Sequence, residues 1–121
     1  MPEANMFSEK RIYPRVPVKI PVKYRVIEDE LEVKSILERR KKDQSAQTVD
    51  ISLGGLYVVT DQALALGKIL RLDITLGDNQ NPLTAFAEVV WANESGGGLR
   101  FLTMKDDDMV LLRAYLEKVS L

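Results

Sequence analysis

From residue 16 to residue 27 apolar and polar side chains alternate: Val16, Val18, Ile20, Val22, Tyr24 and Val26 fall on one side, Lys19, Lys23 and Arg25 on the other. A period of two with one apolar face is the mark of a half-buried strand. Pro17 and Pro21 both lie on the polar side, and since proline cannot donate to a ladder, they predict an edge strand or an interrupted one. Val49, Ile51 and Leu53 next alternate with Asp50 and Ser52. That phase sends the three apolar residues inward and turns Asp50 and Ser52 outward together, before Gly54 and Gly55 permit a tight turn. Further strands are predicted over Leu56 to Thr60, Leu70 to Leu76, Leu83 to Ala92 and Leu99 to Leu102, with Gly96-Gly97-Gly98 as the turn before the last.

Five or six short strands separated by turns predict a barrel or a sandwich. The period changes at the C-terminus, where Met109, Leu112, Leu116 and Val119 recur at helical spacing behind Asp106-Asp107-Asp108. Acidic residues suit a helix N-terminus, so a C-terminal helix packed on the sheet is expected. Residues 28–46 break the strand pattern. Within them, Glu28 to Asp43 is rich in helix formers, holds no glycine or proline, and carries Glu30/Lys34 and Glu38/Lys42 as i,i+4 pairs. We read an inserted helix between two early strands. Its four apolar residues, Leu31, Val33, Ile36 and Leu37, are too few for a sustained heptad. The segment is therefore a solvated excursion, with a protein partner or a homo-oligomer as the alternative.

Composition narrows the chemistry. The 121 residues fit one domain, and the sequence holds no cysteine and no histidine. That removes disulfides, thiolate metal sites, cysteine nucleophiles, the usual base of a Ser-His-Asp triad and the commonest metal ligand. A catalytic role is disfavoured. No apolar run is long enough to span a bilayer and the first ten residues lack a signal-peptide core, so a cytoplasmic protein without membrane insertion is expected. Net charge is −1, yet residues 1–27 carry six basic residues against two acidic ones, which suggests an anion site near the N-terminus. Such a strand would also serve as a merely solvated basic face.

Two short motifs supply the candidate site: Arg11-Ile12-Tyr13-Pro14-Arg15, an R-x-x-x-R, and Asp50-Ile51-Ser52-Leu53-Gly54-Gly55, a D-x-S-x-x-G. At ordinary residue usage chance supplies about 0.3 matches to the first in this length and about 0.03 to the second, so the second is the more specific. A guanidinium forks onto a phosphate or onto guanine O6 and N7, and stays charged while doing so. Pro14 keeps Tyr13 out of the helical region, and an extended chain sets Arg11 and Arg15 on one side roughly 13 Å apart. A carboxylate such as Asp50 can accept from guanine N1 and N2, a serine hydroxyl can donate or accept beside it, and Gly55 lets the backbone pass close under a ligand.

In this order, and followed by strands and a terminal helix, the motifs resemble the PilZ domain, a bacterial receptor module for cyclic di-GMP. The Val89-Val90-Trp91 and Gly98-Leu99-Arg100-Phe101 segments and the leucine-rich C-terminus are similar to the rest of that family's pattern, over about residues 10–118. The resemblance implies a mainly β fold: a six-stranded antiparallel barrel with a C-terminal helix, Trp91 in its wall, a flexible arm at residues 1–10, and the domain proper at 11–121 with its insertion at 28–46. It implies Lys10, Arg11, Arg15, Asp50, Ser52 and Gly55 as ligand-binding residues, cyclic di-GMP as the ligand, no other cofactor and no metal. Lys10 stands where relatives vary between binding one nucleotide and two, and a cation there favours two. A downstream protein that reads the liganded state is implied as partner. The alternatives are a PilZ-like scaffold acting through the inserted helix, and a single-strand nucleic-acid binder. The second is disfavoured because residues 1–27 offer only Phe7, Tyr13 and Tyr24 as aromatics.

Overall fold

In the computed structural model the alternating segment 16–27 forms two strands, β1 (Val16–Pro17) and β2 (Pro21–Ile27), so the two prolines mark an interruption. The structure describes residues 13–27, 44–77 and 81–120. The arm at residues 1–10, with Lys10, and Arg11 lie outside the described residues, as does the insertion up to residue 43. β3 begins at Gln44, so residues 44–46 belong to the barrel rather than to the insertion. Thr48 holds the interruption together. Its amide donates to the Ile20 carbonyl at 3.0 Å, its Oγ1 accepts from the Ile20 amide at 2.8 Å, and its hydroxyl donates to the Val18 carbonyl. Backbone groups that the prolines remove from the ladder are thus satisfied by one buried side chain.

The remaining strands are β3 (Gln44–Ile51), β4 (Gly55–Thr60), β5 (Ile69–Ile74), β6 (Leu83–Asn93) and β7 (Gly96–Met104), followed by helix α1 (Asp106–Val119). All pairings are antiparallel and run β3-β2-β5-β6-β7-β4, with β4 returning to β3. Six strands therefore close into a barrel. β1 is a seventh, outside strand, bonded to the end of β3 through Val16 opposite Ile51 and Pro17 opposite Asp50. Inward residues such as Val22, Tyr24, Ile51, Leu56, Leu72, Leu83 and Val89 form one core with Leu112 and Leu116 of α1. Three aspartates occupy the first turn of α1 and Lys118 its last, both favourable to the helix dipole. Among the described residues no helix is long and apolar enough to cross a membrane.

The alternation slips at three bulges. Thr48 faces Val58 and Asp50 faces Tyr57, which leaves Val49 unopposed; Val90 is skipped between Val89 and Trp91, and Leu102 between Phe101 and Thr103. These three apolar residues are 38%, 45% and 44% exposed, because the extra residue of a bulge turns out of the ladder. Thr48 and Ile51 face inward while Val49 faces solvent, so the predicted phase of residues 49–53 holds at Ile51 and fails at Val49 and Ser52: Ser52 is buried, and Leu53 is half-buried against the core. Beyond the bulge at Val90, Trp91 stays in the barrel wall opposite Gly98, with its side chain 40% exposed on the outer face. The triple glycine, expected as a turn, lies within β7; Glu94 and Ser95 make the turn, with Asn93 Oδ1 accepting from the Ser95 amide at 2.8 Å.

Thr48→Val keeps the volume and removes the hydroxyl. The Ile20 amide and Val18 carbonyl then lose a buried partner, and the expected cost is about 1–3 kcal/mol. Urea denaturation should show a lower midpoint with an unchanged m-value.

Candidate functional site

The turn joining β3 to β4 is the floor of the site. The Ser52 amide donates to the Gly55 carbonyl at 2.8 Å, and Ser52 Oγ accepts from the amides of Gly54 (3.0 Å) and Gly55 (3.3 Å). At 5% exposure this hydroxyl is committed to the turn, so Ser52 shapes the floor instead of offering the outward hydroxyl that its spacing suggested. Gly55 is needed because a Cβ there would lie 2.1 Å from the Leu99 carbonyl oxygen; bare backbone lets β4 and β7 meet. The Tyr13 ring comes to 3.4 Å from the position of a Cβ on Gly54.

Above this floor is a cavity of about 550 Å³ lined by Tyr13, Arg15, Ser52, Gly54, Gly55, Val90, Trp91, Gly98, Leu99 and Arg100. Arg15 arrives from the segment before β1, and its Nη1 donates to Asp50 Oδ1 at 2.6 Å, across 35 residues of sequence. The guanidinium is 60% exposed and the carboxylate 23%, so the pair contributes at most about 1 kcal/mol to folding. Its consequence is orientation, since one end of a flexible side chain is tied at the cavity mouth. Asp50 does not line the cavity and meets it through Arg15.

Opposite, Trp91 packs against Tyr57 with ring centroids 4.9 Å apart and planes inclined at 55°. Gly98 makes room for the indole, because a Cβ at 98 would meet Trp91 Nε1 at 2.0 Å. Arg100 is held by Glu88 Oε1 at 2.6 Å. A second cavity, of about 360 Å³, lies between Tyr13, Pro14, Val16 and Leu53 on one side and Arg113, Leu116, Glu117 and Ser120 of the α1 region on the other. Tyr13 is a wall of both. Among the described residues no group of three or more histidine, cysteine, aspartate or glutamate side chains could hold a metal ion.

The structure therefore brings together Arg15, Asp50, Ser52 and Gly55 from the predicted set. Sequence reasoning missed Tyr13, Val90, Trp91, Gly98 and Arg100. A signal for Trp91 was present: Val89, Val90 and Trp91 are three consecutive apolar residues, which a strand with one buried face cannot all bury without a bulge. Gly98→Ala should leave the barrel folded and displace the indole, because the clash falls on a side chain. As Trp91 is the sole tryptophan, its emission should shift to the red with little change in far-ultraviolet circular dichroism.

A family model described as the PilZ domain matches residues 9–118 of the chain. No curated protein matches the sequence. Three solved structures share the fold. The PilZ domain of CeSA from a cellulose-synthesizing bacterium is 15% identical with a TM-score of 0.62, covering 89% of this chain and 99% of that one. The PilZ domain of YcgR from Escherichia coli, solved with c-di-GMP, is 14% identical with a TM-score of 0.64, and 92% of each chain is covered. The Bacillus subtilis inhibitor of motility, MotI/DgrA, is 20% identical with a TM-score of 0.66; 90% of this chain is covered but only 50% of that one.

Proposed function

This chain belongs to the PilZ domain family, and from that premise we propose that it is a receptor for cyclic di-GMP with no chemistry of its own, whose liganded form is read by another protein. The observation that carries the reading is the 2.6 Å contact between Arg15 and Asp50, which joins the two motifs at the mouth of a cavity of about 550 Å³. That volume lies within the range of small-molecule sites, about 300–1,000 Å³.

The ligand and the cavity correspond in chemistry. Cyclic di-GMP carries two phosphodiester anions and two guanines. Arg15 offers a charged fork at the mouth, the Asp50 carboxylate behind it can accept from guanine N1 and N2, and Trp91 with Tyr13 offers aromatic surface to a base. Lys10 and Arg11 directly precede this wall in sequence and would bring further positive charge. Arg11 and Arg15 would repel each other until an anion lay between them, so the ligand is expected to order the N-terminal arm, residues 1–10, over the cavity mouth. The ordered segment and the barrel face would then make a surface that exists only with ligand, which gives a partner differential affinity for the bound state.

Calorimetric titration tests the reading. Wild type should bind cyclic di-GMP, and Arg15→Ala should weaken binding at least about tenfold, since hydrogen bonds to charged groups are worth about 1.5–3 kcal/mol. A folded wild type that takes up no nucleotide would refute it. Asp50→Ala should lower the preference for cyclic di-GMP over cyclic di-AMP, because adenine lacks the N1 and N2 donors; an unchanged ratio would show that Asp50 does not read guanine. Amide exchange should slow at residues 6–16 and 50–56 when the nucleotide is added, and tight binding with no such slowing would remove the ordering step.

A further inference from the structure

Arg100 belongs to neither motif, yet its place in the barrel mirrors that of Arg15. β1 pairs Val16 with Ile51, which sets Arg15 beside Ser52 at one end of the floor turn. β7 pairs Arg100 with Gly55, the residue at the other end of the same turn. Leu99 and Phe101 flank Arg100 with Leu99 buried, so the alternation sends the Arg100 side chain outward, where it lines the same cavity as Arg15. Each guanidinium is fixed by one carboxylate at 2.6 Å, Arg15 by Asp50 and Arg100 by Glu88, its cross-strand neighbour. The Arg100 side chain is 59% exposed. A pair so open to water adds little to folding, and among the described residues each guanidinium contacts one carboxylate, a contact that does not occupy all five of its N–H donors.

We propose that Arg100 is a third nucleotide-binding arginine, taking one phosphodiester of the ligand across the Ser52–Gly55 floor from Arg15, which takes the other. The inference rests on the receptor reading above and assigns to that site a contact on a strand remote in sequence from both motifs. A cyclic dinucleotide holds its two anions at a fixed separation. Two guanidiniums at opposite ends of one turn suit it better than two on one extended segment, because the pairing of Arg100 with Gly55 and of Val16, next to Arg15, with Ile51 places the two backbones before the ligand arrives.

The test is calorimetric titration of cyclic di-GMP into wild type, Arg15→Ala, Arg100→Ala and Arg100→Lys, with denaturation midpoints measured on each. Arg100→Ala should keep its midpoint and bind at least about tenfold more weakly. The gap between it and wild type should narrow at high ionic strength, as a lost charge contact requires and a purely structural change does not. Should Arg100→Ala fail to fold, Arg100→Lys, which keeps the charge without the fork, carries the test with a loss of about threefold or more. Nucleotide affinity equal to wild type in the folded Arg100 variant, with Arg15→Ala weakened, overturns this inference alone. A wild type that binds no nucleotide overturns the receptor reading and this inference with it.

Discussion

The barrel closes through β4, and β4 can close it only because residue 55 carries no side chain. β4 pairs with β3 on one edge and β7 on the other. At the start of β4 the Leu99 carbonyl oxygen occupies the space where a Cβ of residue 55 would be, 2.1 Å from it. Contacts that short do not occur, so a side chain here would force the two strands apart. The same closure delivers the site. The Ser52 hydroxyl gathers the turn in front of Gly55, the turn becomes the cavity floor, and Arg15, directly before β1, and Arg100, within β7, come to its two ends. Fold and site therefore share one constraint, and a residue such as Ser52 can belong to the site while spending its hydroxyl on the backbone.

The bulges perform the complementary task of turning apolar groups toward solvent. In a closed barrel with strict alternation Trp91 would fill the interior along with Val89. The extra residue at Val90 reverses the phase, and Val90 and Trp91 both end on the wall of the cavity. The bulge at Val49 reverses the phase of β3, which leaves Thr48 buried where its hydroxyl can serve the Val18–Ile20 interruption. Bulges concentrated beside a candidate site agree with their general use in re-aiming side chains. Val49, Val90 and Leu102 are accordingly exposed for a geometric reason.

These bulges also mark the limit of what the sequence made legible. The alternation of residues 16–26, the strands at 56–60 and 83–92 and the helical period after Asp106 are local signals, and the structure follows them, while the strand predicted over Leu70 to Leu76 runs from Ile69 to Ile74. The two motifs were legible as chemistry, and their convergence at Arg15 and Asp50 was implied only by the family resemblance. What failed depended on pairing. A bulge is a relation between two strands, so Ser52, assigned outward, is buried, and the side chain of Trp91, in the barrel wall as read, turns to its outer face. The three consecutive glycines read as a turn because turn chemistry favours glycine, whereas here they serve close approach, as Gly98 does beneath the indole. Arg100 was legible as exposed and not as part of a cavity, since only the pairing with Gly55 places it there.

The charges around the cavity determine where affinity must come from. Arg15 and Arg100 are already paired, each to a carboxylate, in positions open to water. An incoming phosphodiester competes with a carboxylate of the same charge in a highly screened setting, so exchanging one anion for the other yields little net Coulomb energy. Three sources remain. A guanidinium can use N–H donors that a single carboxylate contact leaves idle. Trp91 and Val90, 40% and 45% exposed, would have apolar surface removed from water if a base covered them. Finally, the turn and strands hold both arginines at fixed backbone positions, so little ordering of the barrel wall accompanies binding. An adventitious anion, such as inorganic phosphate, engages only the first of these. A ligand with two anions and two planar bases, as proposed for this cavity, would engage all three, and discrimination between them would follow from the arrangement of the cavity rather than from its net charge.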